Sequence, residues 1–436
     1  MKNVKNLYKS VVRINAYNQD FDFITPMNKG KPSRSSGSGF FIDKDGCILT
    51  CAHVVEDAIK VTCNIPSEGQ TEFPLEILGI CPYFDIAMLR IKNYKVKHVL
   101  KLASDKVIST RVLPGNETYA IGFPLGTETL KISKGILSGV QENFYQTDTP
   151  INPGNSGGPL MIGEYVVGIN AAGVLLADNI GYAVPIYRVE LIKKELQQRH
   201  SLIHYPSLMF EYQKSNSGFR KCHDYKGNGV IVTHIPDASI FVKSGIRAGD
   251  VLCSINGIHV DNFGNMEALW LNQKMSIKNF LSNITLNSKV TIEFYSGGMK
   301  KEHSFTFKEM KPPIRQIYPI FEKKAVDYVQ FAGMIFMNLS LNHLKIRELK
   351  NPEIARFLME KNQSEGKVIV VNISSDSFVN DLNIFSKGDI ISTVNNKKID
   401  NIQQMRKVLK THLKCGSVSL KNSKNDIMYV PKSKHS

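Results

Sequence analysis

The sequence is poor in the features that place a protein quickly. Its seven cysteines (Cys47, Cys51, Cys63, Cys81, Cys222, Cys253 and Cys415) contain no Cys-x-x-Cys pair. An odd number without paired spacing does not read as a disulfide framework or a zinc ribbon. A reducing, intracellular compartment is the expectation. Cys47 and Cys51 have no partner set and read as core thiols. Membrane-spanning length is also missing: no apolar run reaches the ~18 residues a helix needs to cross a bilayer. The most apolar stretch, Tyr165 to Ile186, is broken by Asn170, Asp178 and Asn179. A P-loop, a dinucleotide fingerprint and a His-Glu-x-x-His pair are lacking too, so no cofactor and no metal are expected. The start, Met1-Lys-Asn-Val-Lys, runs within about ten residues into the strand-like Ser10-Val-Val-Arg-Ile-Asn-Ala-Tyr17, which leaves little room for a secretory signal. The lone tryptophan, Trp270, implies nothing by itself.

What is present is ordinary globular usage: 42% hydrophobic and 22% charged residues over 436 positions. At roughly 150 residues per domain this length suggests about three domains. Lys and Arg number 55 against 39 Asp and Glu, a net charge of +16. Such a surplus attracts acidic partners, nucleic acid or anionic lipid. The basic residues are scattered rather than packed into a block, so a generally basic surface is expected and no specific nucleic-acid site.

The first 190 residues or so read as all-β. Short apolar runs recur between turn signals: Gly39-Phe-Phe-Ile42, Cys47-Ile-Leu-Thr50, Ile59-Lys-Val-Thr62, Ile86-Ala-Met-Leu-Arg-Ile91, Thr118-Tyr-Ala-Ile121 and Tyr165-Val-Val-Gly-Ile169. That spacing indicates a barrel or a sandwich. Gln19 to Ser36, with Pro26, Gly30 and Pro32, reads as a surface loop. Val189, Ile192 and Leu196 then recur at helical spacing and close this region.

An internal repeat fills the remainder. Gly249-Asp-Val-Leu-Cys-Ser-Ile-Asn-Gly-Ile-His-Val-Asp-Asn262 aligns without gaps to Gly388-Asp-Ile-Ile-Ser-Thr-Val-Asn-Asn-Lys-Lys-Ile-Asp-Asn401. Upstream, Val230-Ile-Val-Thr-His-Ile235 matches Val368-Ile-Val-Val-Asn-Ile373. Downstream, each copy turns helical, most clearly over Ile402 to Leu409. Two related modules follow the first domain, and Lys311-Pro-Pro313 divides them, since consecutive prolines end strand pairing. Pro431 to Ser436 reads as a loose tail.

The chemistry concentrates in Asn152-Pro-Gly-Asn-Ser-Gly-Gly-Pro-Leu160. Glycines around Ser156 let the chain turn tightly and approach a substrate without Cβ obstruction. The amides of Gly154 and Ser156 would then converge as an oxyanion hole. The plain alternative is a glycine-rich turn with a passenger serine. A serine hydroxyl needs a base, and Thr50-Cys-Ala-His-Val-Val55 sets His53 just after an apolar strand. A third element, Asp85, heads the apolar strand in Phe84-Asp-Ile-Ala-Met-Leu-Arg-Ile91, where a carboxylate could hold the imidazole in its working tautomer. Asp148 competes for that part, being closer in sequence to Ser156. The order His, Asp, Ser is one of the known triad orders.

Gly37-Ser-Gly-Phe-Phe-Ile42, Ile48-Leu-Thr-Cys-Ala-His53, Phe84-Asp-Ile-Ala87, Gly135-Ile-Leu-Ser-Gly139, Gln146 to Leu160 and Gly181-Tyr-Ala-Val-Pro-Ile186 together resemble the HtrA/Deg family of chymotrypsin-like serine proteases. The resemblance implies a mostly β chain: a double β-barrel protease domain over residues 1–200, then two PDZ-like α/β modules over 201–311 and 312–430, an arrangement similar to the plant-type Deg proteases. It implies His53 as base, Asp85 as orienting acid (with Asp148 structural) and Ser156 as nucleophile, with Gly154, Asn155 and Ser156 around the oxyanion. A specificity pocket would be walled by Pro150, Ile151, Gly168, Ile169, Asn170, Gly181, Tyr182 and Ala183. None of these is charged, so an apolar side chain of small to medium size is expected before the scissile bond.

PDZ modules add an extended peptide end to a sheet edge. The carboxylate loop would be Ser207, Leu208, Met209 and Phe210 in the first module, although it lacks the usual glycines. In the second it would be Ala332 to Phe336, where docking or assembly is the preferred reading. The expected activity is hydrolysis of unfolded or damaged protein by a soluble homo-oligomer, a trimer or a multiple of one. The rival reading is a non-enzymatic chaperone or PDZ scaffold whose triad is never assembled.

Overall fold

The computed structural model describes residues 4–141, 144–173, 180–216, 218, 225, 227–237, 239–268, 273–349, 351–412 and 417–431. Trp270, Cys222, Cys415 and most of the expected tail lie outside them. The chain forms two compact units: Met1–Asn18 with Pro32–Ile235 and Ser239–Met310, and Gln19–Lys31 with Pro236–Ala238 and Lys311–Ser436.

The first unit contains two closed barrels. Strands β1 (Val11–Phe21), β2 (Lys29–Phe41), β3 (Cys47–Thr50), β4 (Ala58–Asn64), β5 (Glu72–Cys81) and β6 (Ile86–Ile91) make the first, closed by the β5–β6 pairing. After the short β7 (Lys101–Leu102), strands β8 (Glu117–Gly122), β9 (Lys131–Gln141), β10 (Phe144–Thr147), β11 (Pro159–Ile162), β12 (Tyr165–Gly173) and β13 (Gly181–Pro185) make the second, closed by β11–β12. Closure leaves no open sheet edge in either ring. β3 is buried along its whole length because both of its faces are covered, and Phe40, Phe41, Ile48, Leu49 and Met88 are all fully buried. This is the mostly β, chymotrypsin-like double barrel that the sequence led us to expect.

One expectation fails. Gln19 to Ser36 is not a loop: β1 extends to Phe21 and β2 begins at Lys29, so only the intervening turn is irregular. The strand character is hidden because residues 29–35 are polar and mostly exposed. Exposed strand faces carry no apolar alternation for a sequence reading to detect.

A helix, Arg188–Leu196, follows β13, and the short β14 (Ser201–Leu202) adds to β5. The next sheet of this unit runs β15 (Glu211–Lys214), β16 (Val230–His234), β17 (Val251–Ile255), β21 (Lys289–Ser296) and β22 (Met299–Thr306), with β18 (Ile258–His259) on β17 and a hairpin of β19 (Asn265–Ala268) and β20 (Gln273–Ser276) beside it. Tyr205 ties this sheet to the first barrel. Its ring stacks on Tyr83 at 4.7 Å, meets Phe84 at 4.7 Å and Phe307 at 5.4 Å, and its hydroxyl donates to the Ile284 carbonyl at 2.7 Å. We expect Tyr205→Ala to cost about 3–5 kcal/mol, as for other buried aromatics. Tyr205→Phe, which loses only a hydrogen bond, should cost about 1 kcal/mol. Denaturant titration reads both, and equal losses would show that the ring carries none of the stability.

The second unit has its own sheet, in the order β23 (Tyr328–Phe331), β24 (Met334–Asn338), β25 (Val368–Ile373), β26 (Ile390–Val394), β28 (Val418–Asn422) and β29 (Ile427–Val430), with β27 (Lys397–Lys398) on β26. The helix Ile402–His412 covers it, burying Ile402, Met405 and Leu409. Phe21 and Phe23 belong to this unit and pack on its core around Ile335, Ile369 and Phe357. No helix among the described residues is long and apolar enough to cross a membrane.

The gapless repeat has a physical reading. β17 turns into β18 through Asn256 (φ 50°) and Gly257 (φ 76°), and β26 turns into β27 through Asn395 (φ 48°) and Asn396 (φ 59°). Both are hairpin turns with two consecutive positive φ angles, which Asn and Gly tolerate best. Ahead of each, an aspartate closes the preceding turn: Asp250 accepts from the Arg247 N–H at 2.8 Å, and Asp389 accepts from the Ser386 N–H at 3.0 Å.

Candidate active site

Strand register explains how residues far apart in sequence meet. β3 pairs antiparallel with β6, with Thr50 opposite Ala87. His53 lies three residues past Thr50 and Asp85 two before Ala87, so the two project from the same end of the first barrel. The turn that delivers Asp85 is tight. Its N–H donates to the Pro82 carbonyl at 3.2 Å and its φ is +56°, a left-handed conformation that Asp tolerates better than most residues. One carboxylate then serves His53 twice. Asp85 Oδ1 accepts the His53 backbone N–H at 3.0 Å, and Oδ2 lies 2.8 Å from the ring Nδ1. This contact sets the ring proton on Nδ1 and leaves Nε2 as the basic nitrogen. Asp148, the competing acid, is occupied in the second barrel, where its Oδ1 accepts the Ile136 N–H at 2.6 Å.

The protonation of His53 follows. Burial disfavours its charged form, but the Asp85 hydrogen bond, the Asp85 charge and the Glu56 charge outweigh that, and the pKa rises above the ordinary 6.5. A raised histidine pKa stabilises the fold fully below the unfolded value near 6.5, and that contribution is lost as pH rises through the folded value. If the imidazole serves as a base, it does so only when neutral, so any rate that depends on it follows the opposite course. We expect kcat/KM to rise with pH and to bend above 6.5; a bend below it in a pH–rate profile would contradict this ordering.

Ser156 arrives from the second barrel, in the turn before β11. The Ser38 N–H donates to the Ser156 carbonyl at 2.8 Å, and the Gly157 N–H donates to the Asn170 carbonyl at 2.7 Å. Gly157 (φ +85°) sits so close to the His53 segment that a Cβ there would collide with Thr50 Oγ1 and the Ser38 carbonyl. The Ser156 hydroxyl itself donates to the Ala171 carbonyl at 2.8 Å. No hydrogen bond joins it to His53 in this arrangement.

Of the three expected oxyanion donors, two have free amides. The N–H groups of Gly154 and Ser156 donate to no described residue, whereas the Asn155 N–H is taken by the Asn152 carbonyl at 2.9 Å. Asn155 is therefore a turn-former here, a correction that follows from the closure of the 152–155 turn. The peptide plane carrying the Gly154 N–H is held by residues the sequence reading passed over. The Leu125 N–H donates to the Pro153 carbonyl at 2.6 Å, from a left-handed residue (φ +55°) whose side chain is exposed. Ser38 Oγ bridges the next plane, donating to the Gly154 carbonyl at 2.7 Å while accepting the Phe123 N–H at 3.0 Å. A hydroxyl flanked by glycines in Gly37-Ser-Gly39 was the available signal.

The eight expected pocket residues do not all share one face. Ile151 lies against Gly181, where an added Cβ would come within 2.9 Å of its Cδ1, and Gly168 lies beside Ala183 in the same way. Ile169 is fully buried, and Asn170 is turned inward, its Nδ2 donating to the Pro159 carbonyl at 3.3 Å. Tyr182 points away from Gly181 and Ala183 by strand alternation and donates its hydroxyl to Gln141 at 3.2 Å. Pro150 is exposed at the entrance to the turn.

In the first module Ser207 to Phe210 precede β15, which is an edge strand. Leu208 is buried, Phe210 packs on Phe241 at 4.7 Å, and the Met209 N–H turns back to Ser207 Oγ at 3.4 Å. In the second module the expected carboxylate loop is instead a hairpin: Ala332 (φ 53°) and Gly333 (φ 76°) join β23 to β24, which pairs with β25 on its other side. Both edges of β24 are filled, so no peptide can add to it as a further strand.

The double barrel and the histidine–carboxylate pair define a class, the trypsin-like serine proteases, and residues 37–169 match the trypsin-like peptidase domain family. The relatives are more particular. The chain is similar to the periplasmic serine endoprotease DegP of Escherichia coli K12, at 28% identity over 86% of this chain and 71% of that protein. It is similar to the mitochondrial protease Do-like 4 of Arabidopsis thaliana, at 26% identity over 92% of this chain and 77% of that one. In fold it resembles the HtrA-type protease AlgW with decapeptide (TM-score 0.52, 21% identity, 71% of this chain and 98% of that one). The chain is a serine protease, and along most of its length it is similar to HtrA/Deg endoproteases.

Proposed function

We propose that this chain is an endopeptidase that cuts unfolded or damaged protein, with His53, Asp85 and Ser156 as its catalytic triad. The observation that supports the reading is the twofold contact of Asp85 with the backbone and ring of His53, on a segment whose Thr50 and Cys51 lie against Gly157. Ser156 Oγ attacks the scissile carbonyl as its proton passes to His53 Nε2. The imidazolium is stabilised by Asp85, and the oxyanion is held by the N–H groups of Gly154 and Ser156. His53 then protonates the leaving amine, and water enters by the same base to release the acyl group. A small or medium apolar side chain before the scissile bond suits the uncharged surroundings of Ile151 and Gly181.

Residues 1–200 are the protease domain in this reading, with 201–311 and 312–430 as PDZ-like modules. The open edge of β15 suits an extended substrate end. The filled edges of β24 favour docking or assembly for the second module. Assembly is proposed as a homo-oligomer, a trimer or a multiple of one, to be read from native mass.

The turn of the Ser156 hydroxyl toward Ala171 favours a resting state, and in its extreme form the non-enzymatic scaffold. A fluorophosphonate probe separates the two. Labelling confined to Ser156 is the expected outcome; absence of label under every condition, substrate peptide included, would leave the scaffold.

A further inference from the structure

Cys51 brings a thiol into the site that hydrolysis does not use. It is fully buried, with its Sγ 3.2 Å from the Asn170 carbonyl. Cys51 Sγ, a ring nitrogen of His53 and a carboxylate oxygen of Asp85 all lie within 4.8 Å of one another. Among the described residues no other three His, Cys, Asp or Glu side chains converge in this way. The spacing Cys51-Ala-His53 alone holds no such signal, because the third member comes from the head of β6.

We propose that Cys51, His53 and Asp85 form a binding site for a thiophilic divalent cation, zinc above all, and that its occupation switches the protease off. Thiolate, imidazole and carboxylate are the donor types zinc takes, and three protein ligands with an open fourth position is a common zinc arrangement. Magnesium and calcium prefer all-oxygen sites and are disfavoured by the sulfur. Ligand atoms around a tetrahedral zinc stand roughly 3.4 Å apart. The 2.8 Å gap between His53 Nδ1 and Asp85 Oδ2 must therefore widen slightly. The freedom to do so lies in the His53 side chain, which is 45% exposed and also offers the route of entry.

The consequence for catalysis follows from the protons, and it rests on His53 being the base. The cation bonds to Cys51 Sγ as the thiol proton leaves to water. It takes the Nδ1 lone pair as the ring proton relocates to Nε2, so the imidazole stays neutral. Nothing is oxidised or reduced. The nitrogen that should accept the Ser156 proton now carries one of its own, and Asp85 no longer holds the working tautomer.

Two measurements on the full chain test this. In Ser156→Ala, cadmium serves as a spectroscopic stand-in for zinc. Its thiolate charge-transfer absorption should appear on titration and should lose one thiolate's worth when Cys51→Ala is added. With the active chain, the zinc concentration for half-inhibition is measured against each variant's own rate in chelator. It should rise about tenfold or more in Cys51→Ala, since even indirect ligand supports are worth 10–100-fold in affinity. Cys51→Ser, which keeps the side chain's size, should behave alike and guards against a folding defect in the alanine variant. An unchanged cadmium band, or equal half-inhibition in parent and variants, overturns the proposal. Should the chain prove inactive, the hydrolytic reading falls while the cadmium band still decides the site.

Discussion

Ser156→Ala should abolish turnover, with kcat down by about 10⁶ against an unfolded protein substrate, as when a protease nucleophile is removed. The fold should survive. The contacts that seat this residue are mostly backbone: the Ser38 N–H reaches its carbonyl, and the neighbouring Gly157 N–H reaches Asn170. Only the hydroxyl bond to the Ala171 carbonyl disappears, and alanine fits the same turn. A residual rate about 10³–10⁴ above the uncatalysed reaction is expected, because the amides of Gly154 and Ser156 still polarise a bound carbonyl. Circular dichroism should overlay on the parent while product formation stops. Cleavage at the parent rate would remove Ser156 from the mechanism altogether.

How much of this was legible beforehand differs by element. The His53 and Asp85 positions could be read because each flanks a short, mostly apolar strand, Cys47–Thr50 and Ile86–Ile91, and buried strands announce themselves by composition. The repeat could be read because its turns demand residues that tolerate positive φ at fixed places, Asn256-Gly257 and Asn395-Asn396. What escaped depends on backbone hydrogen bonds, which leave little trace in side-chain identity. The Leu125 N–H that holds the Pro153 carbonyl could belong to almost any residue. The closure of the turn by the Asn155 N–H, which removes it from the oxyanion donors, is equally silent. The Ala332-Gly333 turn was misread as a carboxylate loop because a glycine between apolar residues serves a tight hairpin as well as an anion cradle. Cys51 was read as a core thiol, and its burial agrees. Its neighbours His53 and Asp85 become visible only when β3 and β6 are laid side by side.

Asp85→Asn should be the second-largest loss, about 10⁴ in kcat, with the backbone unchanged. Asparagine tolerates the φ of +56° at this position as aspartate does. Its carbonyl oxygen can keep the bond from the His53 backbone N–H, so the turn remains closed. The amide NH₂ then faces His53 Nδ1. A donor there requires Nδ1 to accept, which moves the ring proton to Nε2 and points it at Ser156. The base is in place but in the wrong tautomer, and no charge remains to stabilise the imidazolium. The pH profile should report the same change. Without the Asp85 hydrogen bond and charge, burial is opposed by Glu56 alone, so the His53 pKa falls and the bend in the residual rate moves to lower pH than in the parent. Asp148→Asn supplies the contrast. That carboxylate accepts the Ile136 N–H and lies on the second barrel, so its loss should weaken the fold and leave the bend where it was. If Asp148→Asn shifted the bend and Asp85→Asn did not, the orienting acid would have to be reassigned.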